Sequence, residues 1–139
     1  MTTWRRQSLM IAAALTLALP AALAAQEAAA GLTPDPALAQ KGKGLWNSRG
    51  CTGCHSIGGG KRSGPDLNGV LERRELGWLR RWLKNPTQML ETDSTAQAML
   101  AQYNNTKMPN MRLSDADVES LLQFIAAESE KHRQQAGSQ

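Results

Sequence analysis

The last third of the chain carries apolar side chains at the three- and four-residue spacing of a helix. The members of this stripe are Val118, Leu121, Leu122 and Ile125. Ser114 precedes the stripe and is followed three residues later by Asp117, which resembles a capping box, and Asp115 adds a second acid to the first turn. The pattern predicts a C-terminal helix that begins after Ser114 and buries one face.

A second stripe of helical period lies within residues 75–84 and stops before Pro86. Its apolar flank is formed by Leu76, Trp78, Leu79, Trp82 and Leu83. Two further helices are predicted, over residues 36–49, where Pro36 suits a helix start, and over residues 94–103. Because residues 26–139 contain only two Val and two Ile, a β-sheet is excluded and an all-α fold is predicted.

The first 25 residues resemble an export signal rather than part of the fold. Arg5 and Arg6 precede an uncharged apolar run over residues 9–19, and small residues follow, so we expect cleavage after Ala24 or Ala25. The alternative is an uncleaved membrane anchor, for which the apolar run is short. We expect residues 26–36 to form a flexible segment and residues 132–139 a polar C-terminal tail.

Removal of this signal leaves 114 residues, of which about 35% are hydrophobic, a small supply for a core. The net charge falls from +4 to +2, and together with the few aromatic residues this balance does not support nucleic-acid binding. The remaining charge is unevenly distributed. Residues 41–84 hold ten basic and three acidic side chains, whereas residues 85–139 hold four basic and seven acidic ones.

Cys51, Cys54 and His55 form the motif C-x-x-C-H. Two thiols at this spacing can reach the two vinyl groups on one edge of a porphyrin, and the histidine that follows lies beneath the iron as the proximal ligand. A thioredoxin-like thiol pair would need a βαβ setting, and a zinc site would need a fourth ligand, for which only the distant His132 is available. The motif therefore predicts one covalently attached haem c.

Three further motifs flank the haem motif. Residues 64–69 read G-P-D-L-N-G, residues 81–86 read R-W-L-K-N-P, and Gly42 and Trp46 lie one helical turn apart ahead of the cysteines. With these motifs the chain resembles the class I, mono-haem cytochromes c over residues 37–131. The resemblance implies a small all-α fold in which four to five helices wrap around one haem.

The same resemblance assigns roles to individual side chains. It implies that the carbonyl of Pro65 accepts a hydrogen bond from the His55 imidazole, which would fix the ring. It implies that Trp82 and Leu83 pack against the haem face. It also implies that Gly42 and Trp46 lie where the first and last helices cross.

The second axial ligand is expected to be a methionine. Pro109 disfavours helical geometry at Met108 and holds it extended, and the family places its ligand methionine in such a loop, commonly before a proline. Met108 is therefore the predicted distal ligand, and Met111 is the alternative. Met89 and Met99 lie in or beside predicted helices, where we expect them to fill gaps in the core.

These features predict a periplasmic one-electron carrier rather than an enzyme, because a methionine closes the sixth position of the iron. The alternatives are a haem subunit of a larger respiratory oxidoreductase, a haem peroxidase or gas sensor with a labile sixth ligand, and a thiol-disulfide oxidoreductase without haem. We expect a monomer that contacts a membrane only if residues 1–25 remain attached. The excess of basic side chains in residues 41–84 predicts a redox partner with an acidic docking surface.

Overall fold

The computed structural model describes residues 32–138, and most of them lie in helices. The six α-helices of this range are α1 (Pro36–Ser48), α2 (Val70–Arg73), α3 (Leu76–Lys84), α4 (Pro86–Thr92), α5 (Ser94–Gln102) and α6 (Asp115–Gly137). A single 3₁₀ turn, Cys51–Gly53, follows α1. Within the described range, β-type pairing is limited to one isolated bridge between Ser56 and Asp66, so the all-α prediction is confirmed.

The predicted export signal over residues 1–25 lies outside the described residues. Of the helices in residues 32–138, none combines the length and the apolar character needed to cross a membrane.

The first helix, α1, buries one face against α6. The Asp35 carboxylate caps its start by accepting a hydrogen bond from the backbone N–H of Leu38 at 2.8 Å. Pro36 occupies the first helical position, where no N–H donor is needed. The buried residues of α1 are Ala39, Gly42 and Trp46, whose spacing of three and four places them on the same face.

The two helices cross at Gly42. A Cβ atom built on Gly42 would lie 1.9 Å from the carbonyl oxygen of Ser120, so the α6 backbone fills the space that a side chain would need. Beside the crossing, the rings of Trp46 and Phe124 pack with centroids 5.8 Å apart and planes tilted by 51°. The expectation that Gly42 and Trp46 mark the crossing of the first and last helices is confirmed.

The last helix, α6, begins with the predicted capping box. The backbone N–H of Asp117 donates to Ser114 Oγ, and the backbone N–H of Ser114 donates to Asp117 Oδ2, both at 3.2 Å. The helix continues to Gly137, so most of the segment expected as a polar tail is helical. This extension lacks an apolar stripe, and polar contacts support it instead: Lys131 pairs with Glu128 on the same helix, and Arg133 pairs with Glu72.

Two short helices, α2 and α4, bring the number above the four to five expected. The single turn of α2 follows Gly69, whose φ of +66° is a conformation that favours glycine. Pro86 ends α3, as predicted, and also occupies the first turn of α4, where the Asn85 side chain accepts a hydrogen bond from the Gln88 backbone at 3.2 Å. The two helices are thus joined by Asn85 alone, without a longer loop.

The buried core joins α6 to the short helices. The core residues contributed by α3, α4 and α5 are Trp78, Leu79, Met89 and Ala96, and those of α6 include Val118, Leu121, Leu122 and Ile125. The α6 members are the ones that the helical stripe predicts. Met89 is 6% exposed, in agreement with its expected role as a core side chain.

Candidate haem site

A largely apolar cleft of about 360 Å³ lies beside this core. Its walls come from α3, α5, α6, the turn that carries the two cysteines, and the loop over residues 104–111. The α6 side chains on the wall are Leu121, Leu122 and Ile125. Because these residues also belong to the core, a flat apolar group in the cleft would extend the core directly.

The two cysteines stand at one edge of the cleft on the 3₁₀ turn. Gly50 precedes the turn with φ of +71°, and the backbone N–H of His55 donates to the carbonyl of Cys51 at 2.9 Å. Cys51 is half-buried and Cys54 is exposed; both line the cleft, and no disulfide joins them. Burial, the largest influence, raises the pKa of the Cys51 thiol, and the neighbouring Cys54 raises it further.

His55 lies directly after this turn and is oriented by Pro65. The ring Nδ1 lies 2.9 Å from the carbonyl oxygen of Pro65, and since a carbonyl only accepts, Nδ1 carries the proton and donates. Burial lowers the pKa of His55, although the Pro65 hydrogen bond opposes this shift. A neutral ring protonated on Nδ1 leaves the lone pair on Nε2 for a metal ion.

Gly64 makes room for this ring. A Cβ atom on Gly64 would lie 2.5 Å from Cε1 and 2.8 Å from Nδ1 of His55. The backbone N–H of Gly64 also donates to the Cys54 carbonyl at 2.8 Å, which ties the loop to the cysteine turn. Any side chain at position 64 would therefore displace the imidazole. This role of Gly64 was not predicted from the sequence, in which its position directly before Pro65 was the available signal.

The Asp66 carboxylate organises the loop that carries Pro65. It accepts hydrogen bonds from the backbone N–H groups of Gly58 at 2.8 Å, Gly60 at 2.6 Å and Asn68 at 2.8 Å. Desolvation of the carboxylate opposes ionisation, but these hydrogen bonds outweigh it and lower the pKa of Asp66. The proline carbonyl that orients His55 is thus held in place by a charged anchor at the next residue.

Met108 and Met111 both line the cleft, from the loop that precedes α6. The two side chains differ in their contacts. Met111 packs against the buried core, whereas the sulfur of Met108 accepts a hydrogen bond from Trp82 Nε1 at 3.2 Å. Trp82 and Leu83, which the resemblance assigns to the haem face, also line this cleft. Met99 lines it too, in addition to packing against the core.

The residues present fit a covalently attached porphyrin. Two thiols at one edge, a neutral imidazole, a thioether and an apolar lining are the groups that a haem of the c type requires. A zinc site is not supported, since residues 32–138 bring together no group of three or more His, Cys, Asp or Glu side chains that could hold a metal ion. The fourth candidate, His132, packs instead against Gly58, at whose position a Cβ atom would lie 2.4 Å from its ring.

Two side chains beside the cleft have contacts that sequence reasoning did not assign. Trp78 stacks on Trp82 with centroids 5.5 Å apart and planes 8° from parallel, and its Nε1 donates to Asp93 Oδ2 at 3.1 Å. The Arg74 guanidinium lies 5.7 Å from the Trp78 ring centre. The four-residue spacing of the two tryptophans was the sequence signal for the stack, but the acceptors of their N–H groups come from other elements.

Comparison with known proteins agrees with this geometry. The sequence pattern of the family described as cytochrome c matches residues 39–128. No curated protein matches the chain significantly. Among solved structures, a cytochrome c from Rhodothermus marinus is 29% identical, with a TM-score of 0.66 over 71% of this chain and 83% of that one. A cytochrome c domain from Pseudomonas putida is 40% identical, with a TM-score of 0.60 over 66% of this chain and 91% of that one.

The family pattern covers the cysteine turn, His55, the cleft walls and most of α6, which are the parts that form the haem site. The C-x-x-C-H motif, the apolar cleft and the structural likeness therefore lead to one conclusion: the chain belongs to the cytochrome c family and its cofactor is haem c.

Proposed function

We propose that this protein is a periplasmic one-electron carrier whose haem iron is ligated by His55 and Met108. Membership of the cytochrome c family supports an electron-carrier role. When bound, the haem supplies a reversible one-electron couple. The export-type sequence over residues 1–25 supports the periplasmic location.

This proposal is carried by the placement of the two candidate ligands. Both line one cleft, and a hydrogen bond to a neighbouring residue orients each of them. Pro65 accepts the His55 Nδ1 proton at 2.9 Å, and the Trp82 N–H lies 3.2 Å from the Met108 sulfur. Each contact leaves a lone pair on the ligand for iron, on Nε2 and on Sδ. With both axial positions filled by the chain, the site suits electron transfer better than the binding of a substrate or gas.

The contacts favour Met108 over Met111 as the distal ligand. Met111 already contributes to core packing, so turning its sulfur towards iron would leave a gap among buried side chains. Met108 lies in the irregular segment before Pro109, outside the described helices, and its sulfur accepts a hydrogen bond from a polar donor.

A thiol-disulfide oxidoreductase is disfavoured by the environment of Cys51. Catalytic thiols of that class have a lowered pKa, because the thiolate is the nucleophile. Burial raises the pKa of Cys51 instead, and the segment that begins at Cys51 is a 3₁₀ turn of three residues rather than the start of an α-helix. The pair is better suited to permanent thioether attachment.

The visible spectrum of the haem-loaded protein tests the proposal. We expect a low-spin, six-coordinate iron in both oxidation states and, in the ferric state, the charge-transfer band of a sulfur-to-iron bond, because Met108 closes the sixth position. Titration with redox mediators should follow a single one-electron curve. A high-spin ferric spectrum would instead favour a peroxidase or gas sensor, and a protein isolated without haem would favour the thiol enzyme.

The charge distribution supports an acidic redox partner, which we include in the proposal together with a monomeric state. Residues 36–65, which contain the cysteine turn, have five basic side chains and no acidic one. Lys43, Arg49, Lys61 and Arg62 are exposed and make no ion pair among the described residues. Arg62 lies against the cysteine turn, where its guanidinium donates to the Thr52 carbonyl at 2.7 Å.

Other basic residues within 41–84 are paired with acidic side chains near the start of α6. Arg80 binds both carboxylate oxygens of Glu119, at 2.5 and 3.0 Å, and Lys84 lies 2.8 Å from Asp115. Two of the three basic residues of α3 are therefore paired with acidic side chains, whereas four of the five basic residues of the segment 36–65 are not. Replacement of Arg80 by Glu would break its ion pair with Glu119 and place two acidic side chains together. Lys61 and Arg62 are therefore the better positions at which to test the effect of the positive charge.

We expect the rate of electron transfer to small charged redox reagents to depend on the positive charge near the cysteine turn. Oxidation by the hexacyanoferrate(III) anion should slow as salt is added, whereas oxidation by the cobalt(III) tris-phenanthroline cation should accelerate, because salt screens attraction in one case and repulsion in the other. Joint replacement of Lys61 and Arg62 by Gln should weaken both salt dependences, and replacement by Glu should weaken them further. Stopped-flow rates at several ionic strengths provide the measurement. Identical salt dependences in all three proteins would show that the charge at the cysteine turn is not at the electron-transfer surface.

A further inference from the structure

The last helix continues beyond the segment that the family pattern covers. That pattern ends at residue 128, whereas α6 continues to residue 137. In this extension, His132 and Arg133 lie three and four residues after Ser129, so the three side chains share one face of the helix. All three contact the segment over residues 58–72, which contains Pro65. The extension is thus attached to the part of the chain that orients the predicted proximal ligand.

Ser129 makes the buried contact of this face. The residue is 2% exposed, and its Oγ accepts a hydrogen bond from the backbone N–H of Gly69 at 3.1 Å. Because the site is buried, removal of the hydroxyl would leave this N–H without a partner, which costs more than the loss of an exposed hydrogen bond. Gly69 lies four residues after Pro65, so Ser129 fixes one end of the loop over residues 58–69, which we call the Pro65 loop.

His132 covers the other end of the Pro65 loop. A Cβ atom built on Gly58 would lie between 2.4 and 2.6 Å from three atoms of the His132 ring, so the ring rests on the glycine backbone. The backbone N–H of Gly58 donates in turn to the Asp66 carboxylate at 2.8 Å, and Asp66 directly follows Pro65. A shift of Gly58 would therefore reach the proline through a single hydrogen bond.

Arg133 adds a third contact, an ion pair with Glu72 of α2. Both side chains are about half exposed, so solvent screens this pair and it contributes little to the free energy of folding. The two contacts with the ends of the Pro65 loop are therefore the ones expected to affect the haem site.

We propose that Ser129 and His132 are positioning residues for the proximal ligand, because they hold both ends of the Pro65 loop and keep the Pro65 carbonyl within reach of the His55 Nδ1 proton. The inference rests on His55 being an iron ligand, as in the proposed function. The hydrogen bond of 2.9 Å between Nδ1 and this carbonyl orients the imidazole and makes it a stronger electron donor to a metal ion. A looser Pro65 loop should weaken that bond, reduce electron donation to iron and favour the reduced state.

Ser129→Ala and His132→Ala in the haem-loaded protein test this role. In the reduced Ser129→Ala protein, exchange of the His55 Nδ1 proton with deuterium oxide, followed by NMR, should become about tenfold faster, as expected when a buried donor loses its partner. The equilibrium constant for reduction should rise by about threefold, since the hydrogen bond to the ligand weakens. His132→Ala should change both quantities in the same direction and by less, because only packing is lost.

The effect should be confined to the Pro65 loop. The backbone N–H of Leu67 donates to the Ser56 carbonyl at 2.8 Å, and its exchange should accelerate together with that of the His55 Nδ1 proton. The backbone N–H groups at the crossing of α1 and α6 should keep the exchange rates of the parent protein. This difference separates positioning of the ligand from a general loss of stability.

Lys131→Ala is the matched control. Lys131 lies on the same extension, but its ammonium pairs with Glu128 of the same helix at 2.6 Å. We expect the exchange rates and the reduction potential of this variant to match those of the parent. His132→Phe should also match the parent, because a flat ring would still cover Gly58.

Three results would overturn the inference while the proposed function stands. The first is parent values for the His55 proton exchange and the potential in both Ser129→Ala and His132→Ala. The second is equal changes in Lys131→Ala or an equal loss in His132→Phe, either of which would show that the contacts with the Pro65 loop are not the cause. The third is faster exchange at the α1–α6 crossing to the same extent as at His55. A parent protein whose reduced-state NMR spectrum lacks the ring-current-shifted resonances of an iron-bound His55 would overturn the proposed function instead.

Discussion

Met108→Ala is expected to abolish the sulfur-to-iron charge-transfer band while the haem stays covalently attached. Alanine offers no donor atom at position 108, and the thioether that lines the cleft there is lost. The ferric iron should then become high-spin or bind water. Loss of the thioether should lower the reduction potential, because methionine ligation stabilises the ferrous state.

The open sixth position gives this variant a second readout. Carbon monoxide should bind the ferrous variant readily, and imidazole or azide should bind the ferric form, whereas the parent should resist all three reagents. Optical titration with each reagent measures the difference. The Met108→Ala protein would thus have the open coordination that a gas sensor or peroxidase requires, and the proposed methionine ligand would be the feature that separates these functions from electron transfer.

Met111→Ala is the matched control for the choice of ligand. Met111 lies three residues further along the same loop and lines the same cleft, but it packs against the core. Its truncation should keep the band and the potential and reduce stability by about 2 kcal/mol, a value at the lower end for loss of a buried methionine side chain since Met111 is only half-buried. The opposite pattern, with the band lost in Met111→Ala and kept in Met108→Ala, would identify Met111 as the ligand.

The cofactor and the main helices could be predicted because their signals are local in sequence. The C-x-x-C-H motif spans five residues, and the stripe from Val118 to Ile125 lies on a single helix. The Ser114 capping box likewise needs only four consecutive residues. Each of these features is decided by spacing along the chain, and tertiary contacts do not alter it.

The features that sequence reasoning missed depend on contacts between distant segments. Within the helical residues 132–137, Arg133 pairs with Glu72, which lies 61 positions earlier in the chain. The compensation of Arg80 by Glu119 spans 39 positions, and a count of charges along the chain therefore overstated the positive field of α3. Short helices such as α2 carry too few residues for a periodic pattern to identify them.

The largest expected effect on stability concerns Gly42. A methyl group at this position would meet the carbonyl oxygen of Ser120 at 1.9 Å and its carbonyl carbon at 2.6 Å. Because these are backbone atoms of α6, a change of side-chain rotamer cannot relieve the clash, and α1 and α6 must move apart. We expect Gly42→Ala to reduce the free energy of unfolding by about 3 kcal/mol or more, which corresponds to a fall of over about 10 °C in Tm for a domain of this size.

Gly44→Ala provides a control two residues away on the same helix. Gly44 is exposed, and a Cβ atom there would meet nothing within 4 Å. The same substitution should therefore raise stability by up to about 1 kcal/mol, because alanine favours a helix over glycine. Thermal unfolding of the haem-loaded proteins, followed by far-ultraviolet circular dichroism, measures both changes. Both variants should keep the sulfur-to-iron band at low temperature, since neither glycine touches the ligands. Equal Tm values for the two variants would show that α1 and α6 do not approach as closely at Gly42 as the structure indicates, whereas opposite shifts would establish that this crossing requires a residue without a side chain.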